Sequence, residues 1–316
     1  MKRKNLTLKD IAALCGVGKS TVSLVINKSP KVKQATREHV EAVIREYGYT
    51  PSLTARALRS QREKIIGIIM TRLDSAAENR AIRAILASAY QQGYDAILQE
   101  SLLNPQLLEE HLRVLESRRV EGIILFGFSG METISLEQWQ HRLVMIASQR
   151  PGFASITYDD QGAVALLMEQ LHASGKKSVS FIGVEEGDLT TGRARYQAYL
   201  ACCQQYGLRP QALLGDLSYQ SGYALAEKLL TPESEALVCA TDTLALGAMK
   251  LIKERGLDID VASIGSTPLM TFLHPEVTSV RLGFEAAGKT ALEMLLAMQT
   301  DPAAIRQTVL PCSFTA

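Results

Sequence analysis

Residues 6–27 read LTLKDIAALCGVGKSTVSLVIN, and this stretch decides the fold of the first part of the chain. Thr7 can cap a helix, because its side-chain oxygen can accept from a free backbone N–H and Asp10 in the first turn complements the positive helix end. Four apolar side chains then recur at the spacing of one helical face: Leu8, Ile11, Ala12 and Cys15. The glycines of residues 16–18 interrupt this pattern, so the first helix is predicted to end there.

A second short helix is predicted over residues 19–27 and a third over about residues 36–47. Two helices joined by a tight turn with glycine are typical of a helix-turn-helix, whose second helix enters the major groove N-terminal end first. Lys19, Ser20 and Thr21 occupy that end and can donate to bases or phosphates. Gly-Lys-Ser also ends a phosphate-binding P-loop, but Ala13 stands where that motif requires glycine, so we reject this alternative.

Charge is distributed unevenly along the chain. Residues 1–64 carry 14 Lys/Arg and 5 Asp/Glu, a net charge of +9, whereas residues 65–316 have a net charge of −8. A basic head on an acidic body predicts that the head binds a polyanion. The alternative is that its basic side chains only interact with solvent. Four cations of the head could contact DNA phosphates and would make binding weaken as salt rises: Lys28, Lys31, Lys33 and Arg37.

Residues 7–58 resemble the DNA-binding region of the LacI/GalR family of repressors. The resemblance implies that Lys19, Ser20 and Leu24 read base edges. Leu24 stands where the family commonly has arginine; a leucine cannot bind guanine in a bidentate manner, but it could touch a thymine methyl or simply pack. Residues 51–58 resemble the family's hinge helix, which implies that Leu58 wedges into the minor groove; an ordinary interdomain linker is the alternative.

From residue 64 onward, short apolar runs alternate with helical segments. This alternation predicts parallel sheets covered on both faces, and the length of the segment favours two lobes with a cleft between them. We therefore predict a DNA-binding domain over residues 1–50, a hinge over 51–63, and an effector-binding and dimerisation domain over 64–316. Its N-lobe would span about 64–160 with part of the C-terminal segment, and its C-lobe about 161–284. The predicted strands are residues 65–70, 95–100, 122–127, 143–148, 178–184, 236–241 and 261–266.

Polar side chains follow most of these apolar runs. Because ligands of parallel sheets bind at the carboxyl ends of the strands, these residues are expected to converge on one pocket. Arg72 and Arg195 could hold a phosphate there. For Thr71, Ser75 and Thr241, the alternative is that they cap helices.

Patterns typical of enzymes, secreted proteins and membrane proteins are missing from the sequence. We found no nucleophile motif, no HExxH, and no G-x-G-x-x-G after a strand, so we predict neither catalysis nor a metal or cofactor. Five irregularly spaced cysteines do not form a disulfide framework and are expected to be reduced and mostly packed. Without an apolar span or a secretory signal, the cytoplasm is the expected location.

The body resembles the effector domain of the same LacI/GalR family, which has a two-lobed, periplasmic-binding-protein-like fold. Residues 71–79, 188–200 and 239–250 most resemble the branch that controls trehalose use. This implies a homodimer that binds operator DNA and is released by trehalose 6-phosphate. That branch has arginine in place of Ser148, so another sugar or sugar phosphate stays open as effector, and a sugar-transport protein is the rival class. The implied effector-binding residues are Arg72, Leu73, Asp74, Ser75, Ala76, Ala77, Glu78, Gly127, Ser148, Asp188, Leu189, Thr190, Thr191, Arg195, Asp242, Thr243 and Phe284.

Overall fold

The structure is a computed structural model that describes residues 6–26, 29–49 and 64–314. The chain divides into two compact units, residues 1–63 (the head) and residues 64–316 (the body). Helices α1 (Leu8–Leu14), α2 (Lys19–Ile26) and α3 (Gln34–Glu46) form the described part of the head. The all-α helix-turn-helix predicted from residues 6–27 is therefore confirmed.

The first helix begins as its sequence predicts. The backbone N–H of Asp10 donates to the Thr7 hydroxyl over 3.3 Å, and the backbone N–H of Thr7 donates to the Asp10 carboxylate over 2.7 Å. This reciprocal capping box satisfies two backbone donors that the helix itself cannot use. Ile11, Val22 and Val40 have no exposed surface, so one side chain from each helix closes the small core of the head.

The body alternates strands with helices. Its strands are β1 (Ile65–Met70), β2 (Asp95–Glu100), β3 (Gly122–Phe126), β4 (Leu143–Ile146), β5 (Ala154–Tyr158), β6 (Val179–Val184), β7 (Gln211–Gly215), β8 (Ala236–Cys239), β9 (Asp260–Ile264), β10 (Thr278–Arg281), β11 (Gln307–Leu310) and β12 (Ser313–Phe314). Its α-helices are α4 (Ala76–Gln91), α5 (Pro105–Ser117), α6 (Asp160–Ala173), α7 (Arg195–Tyr206), α8 (Tyr219–Leu229), α9 (Asp242–Arg255), α10 (Pro268–Leu273) and α11 (Phe284–Thr300). A 3₁₀ turn (Glu137–Trp139) precedes β4, and a π-helical turn (Leu189–Ala194) precedes α7.

The strands form two sheets. The order in the first sheet is β11-β5-β4-β3-β1-β2, and every described pairing in it is parallel. The order in the second is β12-β10-β9-β8-β6-β7, also parallel except where β12 runs against β10. Each sheet with its helices is one lobe, which confirms the predicted α/β body with two doubly wound parallel sheets. We call the lobe that contains β1 the N-lobe and the lobe that contains β6 the C-lobe.

The chain crosses between the lobes after β5, after β10 and between β11 and β12. After β10 it returns to the N-lobe as α11, where Ala287, Leu292 and Leu295 join the core formed by Ile66 and Ile124. Each lobe is thus built from discontinuous segments, and the cleft between the lobes is bordered by the crossing points.

All seven predicted strands are present, whereas the sequence patterns do not predict β5, β7, β10, β11 or β12. β7 and β11 lie at sheet edges where their side chains are only partly buried, and β12 has two residues. β5 (ASITY) and β10 (TSVR) mix polar with apolar residues, so they lack the apolar run on which the prediction relied. The prediction for the cysteines is confirmed, because all five are free and four of them are buried.

Candidate effector cleft and DNA-binding surface

A cleft lies between the lobes at the carboxyl ends of the strands. Thr71 and Arg72 after β1, Gly127 after β3 and residues 241–243 after β8 contribute to its wall, together with the starts of helices α4, α7 and α11. This is the edge at which the sequence predicted a pocket. The cleft brings together the following predicted effector residues: Arg72, Ser75, Ala76, Ala77, Glu78, Gly127, Asp188, Thr190, Thr191, Arg195, Asp242, Thr243 and Phe284.

Arg195 is held at the base of the cleft by a buried ion pair. Its Nε and Nη2 atoms each lie 2.7 Å from Oδ1 of Asp160, and Nη1 donates to the carbonyl of Ala240. Both side chains are less than one-tenth exposed. The charge of Arg195 is therefore neutralised within the protein, and the guanidinium offers the cleft a fixed hydrogen-bond donor more than a free positive charge.

Arg72 is the contrasting cation of the cleft. It follows β1, its side chain is 24% exposed, and its Nη1 lies 3.7 Å from Oδ1 of the exposed Asp74. The same nitrogen is 3.5 Å from the carbonyl of Leu217 in the C-lobe. Because both contacts are long and fall on one nitrogen, the rest of the guanidinium can still donate to a ligand. Arg72 is thus suited to hold an anionic group by paired hydrogen bonds.

Glu78 closes the N-lobe side of the cleft. The backbone N–H of Thr71 donates to its Oε2 over 2.7 Å, and the Thr71 hydroxyl donates to its Oε1. Burial raises the pKa of Glu78, and the bonds from Thr71 oppose that shift. Thr71 therefore anchors the loop after β1 to α4, while Ser75 caps that helix by accepting from the backbone N–H of Glu78 over 3.3 Å.

Asp242 organises the C-lobe side of the cleft. Its Oδ1 accepts from the Ser263 hydroxyl and its Oδ2 from the backbone N–H of Thr267, each over 2.6 Å. Gly265 has φ +149°, and a Cβ there would lie 2.8 Å from the Asp242 carboxylate, so this position needs glycine. Thr241 caps α9 by accepting from Leu244, which is the alternative considered for it from the sequence. It also lines the cleft, so the two roles are compatible.

Four predicted effector residues do not line this cleft. Leu73 is 60% exposed, and Asp74 is also exposed. Ser148 and Leu189 line a side cavity that adjoins the cleft instead.

The cleft also contains side chains that were not in the predicted set. Tyr158 packs edge-on against Phe284 with the ring centroids 5.3 Å apart, and burial raises the pKa of Tyr158, which keeps its phenol neutral. The remaining additions come from strand ends, helix starts and loops that the tertiary structure brings near: Thr71, Leu103, Phe126, Phe128, Ala147, Asp160, Leu217, Thr241, Ile264, Gly265 and Thr267. One signal was available for Phe128, because it directly follows the predicted strand 122–127.

Contacts across the cleft hold the two lobes together. The backbone N–H of Leu189 donates to the Ser129 hydroxyl over 3.0 Å. Farther out, Arg80 on α4 donates from Nη1 to the carbonyl of Ser266 over 2.8 Å and lies 3.4 Å from Glu285. The bonds of Ser129 to Leu189 and of Arg80 to Ser266 therefore connect the two lobes directly.

In the head, α2 presents a polar face. Lys19 and Ser20 are exposed, Thr21 is half-buried, and Leu24 is 37% exposed. Val22 and Val25 on the opposite face are buried in the core of the head. The predicted DNA-contacting residues of this helix therefore share its accessible side, whereas Lys28 and Leu58 lie outside the described residues.

The chain matches known families over both units. Residues 7–52 match the family described as bacterial regulatory proteins of the lacI family, and residues 168–316 match a periplasmic binding protein-like domain. The HTH-type transcriptional regulator TreR of Escherichia coli is 48% identical over 99% of this chain and 100% of its own length. The chain belongs to the LacI family of bacterial regulatory proteins.

The solved structures agree with this membership. The trehalose repressor from Escherichia coli superposes with a TM-score of 0.78 and 45% identity over 80% of this chain and all of that chain. The Lac repressor bound to ONPG superposes with a TM-score of 0.82 and 25% identity over 99% of both chains. This LacI-family member is therefore a DNA-binding transcriptional repressor and not an enzyme, as the sequence predicted. Among the described residues, no helix is both long and apolar enough to cross a membrane.

Proposed function

We propose that this LacI-family member represses a trehalose-utilisation operon and that trehalose 6-phosphate releases it from its operator. The observation that carries the proposal is the pairing of one accessible cation, Arg72, with a ring of hydrogen-bonding groups at the strand ends of both lobes. A phosphate would bind Arg72, and sugar hydroxyls would bind the fixed donors and acceptors around it. The 48% identity to TreR of Escherichia coli supports the same class of effector.

The effector-binding set is proposed as the cleft-lining residues together with those of the side cavity. Arg195 would donate to sugar oxygens, since Asp160 already neutralises its charge. Glu78 and Asp188 would accept from sugar hydroxyls. Leu73 and Asp74 would act indirectly, with Asp74 orienting Arg72 from the protein surface.

The head is proposed to bind operator DNA through α2. Lys19, Ser20, Thr21 and Leu24 would face the major groove, and Lys28 would contact the backbone. Residues 51–63 would form the hinge between the domains at 1–50 and 64–316, with Leu58 in the minor groove. Because Leu24 cannot form the bidentate contact of an arginine with guanine, the operator is expected to differ at the facing base pair.

We propose that the protein acts as a homodimer in the cytoplasm. Each lobe exposes several large apolar side chains, and association surfaces are built from such side chains where they are contiguous. On the C-lobe, Leu269, Phe272 and Leu273 of α10 are 50%, 83% and 52% exposed. On the N-lobe, Leu98 and Leu102 are 41% and 61% exposed. A two-fold dimer would place two heads on half-sites about one helical turn apart.

A second candidate effector is an uncharged disaccharide. Four carboxylates and two arginines line the cleft, and Asp160 and Arg195 neutralise each other. Three carboxylates (Glu78, Asp188 and Asp242) therefore remain against one arginine, Arg72. Carboxylates accept from hydroxyls but repel a phosphate, so this balance favours a neutral sugar unless Arg72 outweighs it.

Isothermal titration calorimetry distinguishes the phosphorylated effector from the uncharged one. Trehalose 6-phosphate and trehalose are each titrated into the wild type and into Arg72→Ala. If phosphate binds Arg72, the variant loses roughly 10- to 100-fold in affinity for the phosphosugar and little for trehalose, as expected for one charge-assisted contact of about 1.5–3 kcal/mol. Arg83→Ala, an exposed cation on α4, is the matched control and should leave both affinities unchanged. Tighter binding of trehalose than of its phosphate would favour the uncharged effector and refute the phosphate proposal.

A further inference from the structure

The N-lobe sheet has a second edge, opposite the cleft, where its strands begin. Because the described strand pairings of this sheet are parallel, the residues that precede its strands meet at this edge. Lys64 directly precedes β1, Arg118 and Arg119 lie in the turn before β3, Arg142 directly precedes β4, and Arg306 directly precedes β11. We call these five residues the basic edge. They extend from β11 to β1, which is four strand spacings or roughly 19 Å.

The charges of the basic edge are not neutralised within the body. Among the described residues, none of its five cations forms an ion pair. Four are exposed, and the half-buried Arg142 has its guanidinium carbon 4.0 Å from the ring centroid of the buried Trp139. Nζ of Lys64 similarly lies 5.1 Å from the ring centroid of Tyr94. Contact with an aromatic face orients a cation but leaves its positive charge available to a partner.

Arg119 occupies a backbone position that favours glycine. Four other helices of the body are followed by a glycine with positive φ, at Gly93, Gly175, Gly207 and Gly256. The corresponding residue after α5 is Arg119, whose φ is +54°. A side chain in this left-handed conformation costs energy that glycine would not. The fold therefore accepts local strain in order to present a second arginine beside Arg118, and such strain is typical of functional positions.

The acidic excess of the body lies mostly away from this edge. Four carboxylates stand near it, against the five cations: Asp95, Glu116, Glu121 and Asp301. Two of them are engaged locally, because Glu121 accepts from the Tyr94 hydroxyl over 2.9 Å and Asp301 accepts from the backbone N–H of Ala303 over 3.0 Å. Asp95 begins β2, the outer strand, beyond the row of cations. The edge is thus the part of this acidic body that is suited to an anionic surface.

The head is tethered to the body at this edge. Lys64 is the first residue of the body, and the predicted hinge of residues 51–63 can span at most about 45 Å when fully extended. The hinge sequence continues the positive charge with Arg56, Arg59 and Arg62. DNA held by the head is therefore kept near the basic edge. A duplex carries one charge per roughly 1.7 Å of its axis, so a row of about 19 Å can face about 11 phosphate charges.

We propose that the basic edge is a second DNA-binding surface, which contacts backbone phosphates of the duplex that the head holds. The inference goes beyond the proposed function, because it assigns DNA contacts to the body and does not depend on the identity of the effector. Phosphate contacts carry no base information, so the edge adds affinity for any duplex and steepens the salt dependence of binding. Helix α2 remains the element that reads bases.

The test measures binding of the full chain to a labelled duplex of mixed sequence, several helical turns long, by anisotropy at several salt concentrations. Arg118→Gln/Arg119→Gln should lower the slope of log affinity against log salt by about two, roughly one for each lost phosphate contact, and should lower the affinity near 0.1 M salt at least tenfold. Arg118→Lys/Arg119→Lys keeps both charges and should retain most of the affinity. The matched control, Arg209→Gln/Lys228→Gln, removes two exposed cations of the C-lobe and should change neither value.

A second variant separates DNA contact from folding. Arg119→Gly relieves the left-handed strain, so its melting temperature should rise while its affinity for the duplex falls, and misfolding cannot produce that combination.

The outcomes distinguish this inference from the function of the head. If Arg118→Gln/Arg119→Gln and the C-lobe control lower affinity and slope equally, only net charge matters and the inference is wrong, while base reading by α2 stands. An Arg119→Gly variant that is more stable but binds the duplex as the wild type does would also overturn it. If the wild type does not bind the duplex even at low salt, DNA binding by the head fails, and the contact inferred for the body fails with it.

Discussion

The head and the body carry their functional charges in opposite ways. In the head, Lys19 is exposed on α2 with no partner among the described residues, and Arg37 only reaches the carbonyl of Ser29 over 2.5 Å. In the body, Arg195 and Asp160 are buried as a pair, and Arg72 is shielded to 24% exposure. An exposed cation attracts any polyanion in a salt-dependent way, whereas a buried and oriented charge selects one ligand geometry. The head is therefore built for a long, uniform partner and the body for a small, specific one.

The largest effect should come from breaking the buried pair of the body. Asp160→Asn leaves the Arg195 charge without its partner in a site where both side chains are less than one-tenth exposed. The free energy of unfolding should fall by about 3–5 kcal/mol, as it does when one member of a buried pair is removed. Urea denaturation of the full chain measures this loss. Asp258→Asn, at an exposed position, is the control and should stay within about 0.5 kcal/mol of the wild type.

A smaller effect is expected at the contact that joins the lobes. Arg80→Met removes the hydrogen bond to Ser266 and the pairing with Glu285 but keeps the apolar stem of the side chain. Because the bond to Ser266 joins the lobes outside the cleft, its loss should disfavour the lobe arrangement that holds the effector, and the variant should bind trehalose 6-phosphate about tenfold more weakly, near 1.4 kcal/mol. Operator affinity without effector should not fall. An Arg80→Met variant that matches Arg83→Met in effector affinity would show that the contact plays no part in closure.

Two helix N-caps, one in the head and one in the body, can be compared by the same substitution. Thr7 caps α1 in the head, and Ser218 caps α8 in the body by accepting from the backbone of Ser221 over 3.0 Å. Replacement of either by alanine should cost about 1 kcal/mol. Thr7→Ala should speed hydrogen exchange in α1 and weaken operator binding, whereas Ser218→Ala should affect only exchange in the body. Operator binding that weakens equally in both variants would contradict the division of labour between head and body.

The smallest effect on stability is expected at the exposed cation. Lys19→Ala should change the free energy of unfolding by less than about 0.5 kcal/mol, because the side chain is exposed and unpaired among the described residues. Its effect should appear only with DNA, as weaker operator binding and, if Lys19 contacts a phosphate, a salt slope reduced by about one. Anisotropy titrations at several salt concentrations measure both. A large loss of stability with unchanged DNA binding would assign Lys19 to the fold instead.

The same contrast between head and body explains which features could be predicted from the sequence alone. The head depends on local signals: the cap of Thr7, the interrupting glycines and the helical spacing are all contained in about 20 consecutive residues, and the structure confirms each of them. The edge of the sheets where the cleft lies was also predictable, because the carboxyl ends of parallel strands lie at the same edge of a sheet, independent of the conformation of the loops.

The rest of the cleft depends on contacts between residues far apart in the chain. Asp160 and Arg195 are 35 residues apart, and neither sequence nor spacing indicates that they neutralise each other. Ser148 was predicted as one residue of a single pocket, and only the tertiary structure shows that it lines a side cavity next to the cleft. Leu217 reaches Arg72 from the other lobe across 145 residues. Such pairings depend on how the elements of the two lobes pack together, which local sequence patterns do not indicate.

The central claim is that effector binding to the body lowers the affinity of the head for operator DNA. The most direct test follows the anisotropy of a labelled operator, bound to the purified protein, as trehalose 6-phosphate is added. The expected result is release of the DNA at the concentrations at which titration calorimetry shows the effector binding, with no release by trehalose at the same concentrations. If the effector saturates the body while the DNA stays bound with unchanged affinity, the two regions are not coupled and the claim is wrong.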